Sequence, residues 1–166
     1  MTIWTKIDSP LGLLLAARDA AGITTLLLPT GRHQTMAPSA AWARDDAGFD
    51  DLRAQLEEYF AGRRTEFDLT LNPVGTAFQL RVWTALADIP YGRTASYAAI
   101  AVAIGAPRGA SRAVGAANGQ NPISIVVPCH RVVGAQGALT GYAGGLPAKQ
   151  WLLGHEAQHA GLFAPS

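Results

Sequence analysis

The chain has 166 residues, enough for one domain of ordinary size or two small ones with a real core. Apolar residues make up 49% and charged residues 15%, which excludes a disordered chain, no apolar run reaches the ~18 residues of a membrane helix, and a single cysteine, Cys129, excludes an intrachain disulfide and a four-cysteine zinc site. The net charge of +1 hides an asymmetry: residues 1–75 hold seven Lys/Arg and ten Asp/Glu (−3), whereas residues 76–166 hold six and two (+4), a balance that allows a polyanion-binding C-terminal half.

The N-terminus, Met1-Thr-Ile-Trp-Thr-Lys6, lacks the basic and apolar regions of a signal peptide. With the lone cysteine, this predicts a cytoplasmic protein. Three short β runs follow, Met1–Lys6, Leu13–Ala17 and Ile23–Leu28, separated by the turn residues Asp8–Gly12 and Asp19–Gly22. They predict an antiparallel meander. Residues 30–48 show no period and read as loop. Leu52, Leu56, Tyr59 and Phe60 recur at the spacing of one helix face, with Ala61-Gly62 as the stop. Thr65–Leu71 reads as one more strand.

Asn72-Pro73-Val74-Gly75 is the expected boundary between a domain at 1–75 and a domain at 76–166. Beyond it the pattern turns helical. Thr76 and Gln79 have capping-box spacing, and Phe78, Val82, Trp83 and Leu86 form an apolar face. Ser96–Ile104 and Ser111–Asn118 predict two short helices joined by a Gly/Pro turn, the pattern of a helix-turn-helix. Ile123–Val127 reads as a strand leading to Pro128-Cys129-His130-Arg131. A Gly-rich loop runs from Gly134 to Gly145. Pro147 then stands at the expected first position of a last helix, which carries Trp151, Leu152 and His155 on one side and ends near His159.

Cys129 is the candidate nucleophile. A lone cysteine is more often a small buried hydrophobe. Here the adjacent His130 and Arg131 are cations of the kind that lower a thiol pKa and raise the thiolate fraction. His155 and Glu156 are candidate partners to orient a base.

The stretch Asn121-Pro-Ile-Ser-Ile-Val-Val-Pro-Cys129-His130-Arg131-Val-Val-Gly134 resembles the active-site signature of the O6-alkylguanine-DNA alkyltransferases. The resemblance extends from about Thr76 to Glu156, through Ile89-Pro-Tyr-Gly92, Ser96-Tyr97, Arg112-Ala-Val-Gly115, Gly141-Tyr142 and Leu152-Leu-Gly-His-Glu156; Ile7–Gly12 resembles the family's N-terminal domain. It implies an α+β protein: a small N-terminal antiparallel-sheet, ribonuclease H-like domain, then a mostly helical, winged-helix-like domain with the helix-turn-helix. It also implies a single-turnover transfer of the alkyl group from O6 of guanine in duplex DNA to Cys129, by a monomer without cofactor or metal, after the nucleotide is flipped out. O4-alkylthymine is a further candidate substrate.

Residue by residue, the resemblance makes His130 the base that takes the thiol proton through a water and Glu156 its orienting carboxylate. Asn121 braces the active-site turn, and Tyr97 donates to the departing guanine and crowds the flipped nucleotide's phosphate. Arg112 fills the gap in the base stack. Ala113, Gly115 and Ala116, with Arg112 and Tyr97, make a smooth DNA-facing surface for the minor groove, and Arg131 adds a DNA contact. Tyr142 and Ala143 of the closing loop, with the backbone around Val126 and Cys129, line the base pocket. One departure stands out: the turn Gly105–Ser111 is a residue longer than the family pattern, which would shift Arg112 unless Gly109 absorbs the extra residue.

Three other readings use the same residues. A lesion-binding alkyltransferase-like protein would lack the nucleophile that Cys129 supplies. A Cys/His hydrolase would need an oxyanion hole and would turn over repeatedly. A helix-turn-helix regulator would carry base-reading polar side chains where this chain has alanine and glycine.

Overall fold

The structure, a computed structural model, describes residues 1–31, 33, 37–107 and 109–160. Part of the predicted loop at 30–48, and Arg108 of the helix-turn-helix connector, lie outside the described residues.

The three apolar runs form the expected meander. Strands β1 (Ile3–Ile7), β2 (Leu14–Asp19) and β3 (Gly22–Leu27) pair antiparallel in the order β3-β2-β1. A two-residue strand β4 (Ala43–Arg44) adds a parallel edge beside β1, within a stretch whose sequence shows no period. Helix α1 (Asp50–Phe60) buries Leu52, Leu56 and Tyr59, the face the spacing predicts. Thr65–Leu71 is not a strand. It runs along the edge of β3 and touches it through one bridge, where Ile23 N–H donates to Thr70 O (2.9 Å) and Asn72 N–H to Ile23 O (2.7 Å). Only its end lies at pairing distance, so the β propensity of the rest finds no partner.

Helix α2 (Ala77–Leu86) opens on a complete capping box: Gln79 N–H donates to Thr76 Oγ1, and Thr76 N–H donates to Gln79 Oε1. Its Trp83 indole donates to Ala117 O (2.8 Å), tying α2 to the helix-turn-helix. That motif comprises α3 (Tyr97–Ala103), capped by Ser96, and α4 (Ser111–Gly119). Gly109, at φ +84°, takes the left-handed turn that glycine tolerates, so α4 starts at Ser111 with Arg112 in its first turn. Strands β5 (Ala95–Ser96) and β6 (Val132–Val133) pair in parallel, which sets the segment after Cys129 against the start of α3. Helix α5 (Leu146–Ala160) has Pro147 at its second position, inside the first turn where the missing N–H costs nothing.

Ile123–Val127 is a compact turn rather than a strand. Only Ile123 bridges the sheet, beside Leu26: Leu26 N–H donates to Pro122 O and Ser124 N–H to Leu26 O. The chain then folds on itself, with Val127 N–H donating to Ile123 O (3.0 Å) and Ile125 held at φ +71°. A left-handed conformation at a β-branched residue is strained, and surrounding contacts must enforce it. The sheet edge thus holds the turn that carries Cys129.

Candidate active site

Asn121 enforces that turn. Its amide donates to Val127 O (2.9 Å) and to Ile123 O (3.3 Å), while its own Oδ1 accepts from Ile123 N–H (3.0 Å). Asn118, from α4, donates to Cys129 O (3.3 Å). The recognition helix and the nucleophile's backbone are therefore in direct contact. Cys129, His130 and Arg131 form one 3-10 turn rather than the end of a strand, so the three side chains fan out instead of alternating between two faces.

Cys129 is buried, and burial pushes its thiol pKa up. Asn121, Tyr142 and the ammonium of Lys149 act in the opposite direction. The cation that favours the thiolate is thus Lys149 of α5. The expectation that Arg131 does this is corrected by its geometry, because its charge is spent elsewhere. Lys149 is fully buried, and burial pulls its own pKa down; its Nζ donates to Thr140 O (3.3 Å).

Glu156 gathers the other charges. Its Oε2 accepts from His130 Nε2 (2.8 Å), Tyr59 OH (2.6 Å) and Arg131 Nη2 (3.0 Å), and its Oε1 accepts from Arg131 Nε (2.8 Å). Burial works to raise the Glu156 pKa. The hydrogen bonds and charges of His130 and Arg131 outweigh it and hold the carboxyl well below the usual range. An ionised carboxylate only accepts, so the His130 proton sits on Nε2. Nδ1 then carries the lone pair, and it has no hydrogen-bond partner among the described residues. Burial lowers the His130 pKa, so the imidazole is a neutral acceptor. The arrangement can take a proton from a neighbouring thiol and stabilise the imidazolium that results.

The outer surface is different in kind. A pocket of about 530 Å³ opens between α4 and the Gly-rich loop, lined by Tyr97, Arg112, Gly115, Thr140, Gly141 and Tyr142 among others. Arg112, Ala113 and Ala116 are exposed on α4, and Gly115 lies under the Tyr97 ring, which a Cβ there would meet at 3.7 Å. The Tyr97 and Thr140 hydroxyls are 2.6 Å apart across the pocket rim.

Two family models cover almost the whole chain: the ribonuclease-like domain of 6-O-methylguanine DNA methyltransferase matches residues 2–73, and its DNA-binding domain matches residues 77–158. The chain belongs to the 6-O-methylguanine DNA methyltransferase family. A methylated-DNA–protein-cysteine methyltransferase of Mycolicibacterium paratuberculosis is 54% identical over 162 residues, 96% of this chain and 95% of the relative. One from Methanosarcina acetivorans is 49% identical over 88% of this chain and 92% of its own. The crystal structure of Mycobacterium tuberculosis OGT in complex with DNA superposes with a TM-score of 0.87 at 49% identity, covering 95% of this chain and 94% of that one. The fold is the two-part methyltransferase fold, a sheet-bearing N-terminal unit followed by a helical one.

Set against the residues that the family signature nominates, the geometry gathers Cys129, His130, Glu156 and Asn121 around one turn, and Tyr97, Arg112, Gly115 and Tyr142 around one pocket. Others stand apart. Arg131 is buried, with its guanidinium committed to Glu156 and to Ile89 O (2.7 Å), so it braces the carboxylate and keeps little exposed surface for the DNA contact expected of it. The Val126 side chain lines a separate cleft with Tyr91 and Arg131, and Ala143 lines one beside Asn121 and Trp42. Of the two candidate orienting residues, His155 turns away: its Nε2 donates to Tyr59 O (2.8 Å) and its ring stacks on Trp151. Sequence reasoning missed Tyr59, Lys149 and Thr140. Lys149 precedes Glu156 by seven residues, two helical turns, and that spacing was a signal that both share a face.

Proposed function

We propose that this methyltransferase repairs O6-alkylguanine in duplex DNA by moving the alkyl group irreversibly onto Cys129. The observation that carries this reading is the buried Cys129–His130–Glu156 array, set behind a pocket flanked by an exposed arginine on a helix otherwise faced with small residues.

The steps follow from the residues. Phosphate contacts dock α4 in the minor groove without reading sequence. The target nucleotide leaves the stack, which costs a few kcal/mol, and Arg112 takes its place. Tyr97 and Tyr142 flank the flipped base, and backbone groups near Val126 and Ala143 meet its edge. His130 Nδ1 takes the Cys129 proton, through a water, and Glu156 stabilises the imidazolium. The thiolate attacks the alkyl carbon. An S–C bond forms, the C–O6 bond breaks, and its electron pair goes to guanine, which takes up a proton. Tyr97 donates a hydrogen bond to the departing base. A neutral thioether is a poor electrophile that neither water nor an imidazole cleaves, so each protein acts once. No metal or cofactor enters these steps. One chain carries the whole site, which suits a monomer, and a free thiol suits the reducing cytoplasm.

Cys129→Ser tests the mechanism. The variant keeps lesion-duplex binding and loses transfer; methyl transfer by the variant contradicts the reading.

A further inference from the structure

Tyr59 lies 97 residues from Glu156, on a helix of the other unit of the chain, yet its hydroxyl makes the shortest bond to the carboxylate. It is fully buried, so the hydroxyl is shut off from bulk solvent. Its ring is fixed edge-on to Phe60 (5.2 Å) and to Tyr91 (6.3 Å) and tilted on Phe67 (5.5 Å). Its main chain is fixed as well. Tyr59 O, among the last carbonyls of α1 that lack a helical partner, accepts from His155 Nε2 (2.8 Å) and from Gly62 N–H (3.0 Å). Consecutive residues of α5 therefore grip Tyr59 at both ends, His155 at the carbonyl and Glu156 at the phenol.

Building on the transfer mechanism above, we propose that Tyr59 is a positioning residue: its phenol fixes Glu156 Oε2 and sets how much of the carboxylate's charge reaches His130, so the sheet-bearing unit takes part in the chemistry. A buried tyrosine hydroxyl needs some partner. A backbone carbonyl would serve stability equally well. Here the partner is the oxygen that also holds the base, and donors on one oxygen share its negative charge. The phenol competes with His130 Nε2–H for Oε2. Removing it concentrates charge on His130 and Arg131, favours the imidazolium and raises the pH at which His130 stops being a free acceptor. A stronger phenol donor does the reverse. The other groups facing this site stay in place: Arg131 and Cys129 on the 3-10 turn, Lys149 and His155 on α5, Tyr91 from the α2–β5 connection and Tyr142 from the Gly-rich loop.

The test is single-turnover methyl transfer from a duplex with one O6-methylguanine, followed across a pH series. It compares the wild-type protein, Tyr59→Phe, and the protein with 3-fluorotyrosine placed at position 59. The acid limb of the rate moves up for Tyr59→Phe, by roughly half a unit to one unit, the size expected when one of several charge-assisted bonds is lost. It moves down for the fluorinated protein, and the duplex concentration giving half-maximal rate stays unchanged in both. Superimposable acid limbs in all three proteins overturn the proposal, whatever the thermal stabilities. Should Tyr59→Phe fail to fold, the fluorotyrosine protein, which keeps every heavy atom of the tyrosine and exchanges one ring hydrogen for fluorine, decides alone. A wild type that takes up no methyl group overturns the proposed function itself; transfer by the wild type with coincident limbs overturns only the part given to Tyr59.

Discussion

At the residue scale, the site separates the charge that makes the nucleophile from the charge that holds the base. Lys149 faces the thiol, while Arg131 is absorbed by Glu156. Lys149→Met therefore slows transfer at neutral pH and regains most of it in alkaline solution, where the thiol ionises without help. A rate deficit that stays constant across pH would contradict this. Arg112 has no ion-pair partner among the described residues and stands exposed at the pocket mouth. Arg112→Ala slows transfer from duplex DNA but leaves transfer from the free base O6-methylguanine unchanged, since only the duplex needs the gap filled. Equal loss on both substrates would assign Arg112 to the pocket instead. Much of this was legible beforehand. The signature around Cys129 picks out Cys129, His130 and Glu156, which the fold gathers in one buried centre, because such a signature depends on residue type at fixed spacing. The partner of Arg131 is not legible, because an arginine's fate depends on what is buried beside it, and nothing in the local sequence says that Glu156 folds back onto it.

At the element scale, the helices followed their patterns and the irregular segments did not. The capping box of α2, the apolar face of α1 and the Ser96 cap of α3 are local features, readable from spacing and side-chain chemistry. Ile123–Val127 has the composition of a strand and is folded back by Asn121 and by a strained Ile125, a long-range outcome that β propensity cannot show. Asn121 is thus expected to be worth more than an ordinary surface asparagine. Asn121→Ala removes one of two donors from Val127 O and from Ile123 O, which each keep a backbone donor, and leaves the buried Ile123 N–H without its acceptor, a cost of about 1–3 kcal/mol. Thermal unfolding should show a lowered midpoint together with a slower transfer rate. A loss of rate with no change in midpoint would mean that the turn keeps its shape without the amide.

At the scale of the whole molecule, the two family-matched units share the buried centre. Tyr59 and the β3 edge come from one, and the 3-10 turn and α5 from the other, so opening the contact between them exposes Glu156 to water. The pH dependence of stability follows. Glu156 has its pKa depressed in the folded protein, so its contribution is present above the unfolded value of about 4.3 and is lost as pH falls below it. His130 is depressed too, and its contribution is lost as pH falls below about 6.5, where only the unfolded chain takes up the proton. Cys129 is raised, so its contribution is lost as pH climbs above about 8.5. Denaturant unfolding should therefore show stability falling in two stages on acidification, and His130→Gln should remove the upper stage. An unchanged upper stage in that variant would assign the loss to another group.

The most direct measurement is the intact mass of the protein after mixing with a duplex that holds one O6-methylguanine, followed by peptide mapping. The expected result is a gain of one CH2 per chain, located on Cys129, with guanine restored in the DNA and no further conversion when more duplex is added. Repeated conversion by an unmodified protein, or lesion binding with no gain in mass, would contradict it.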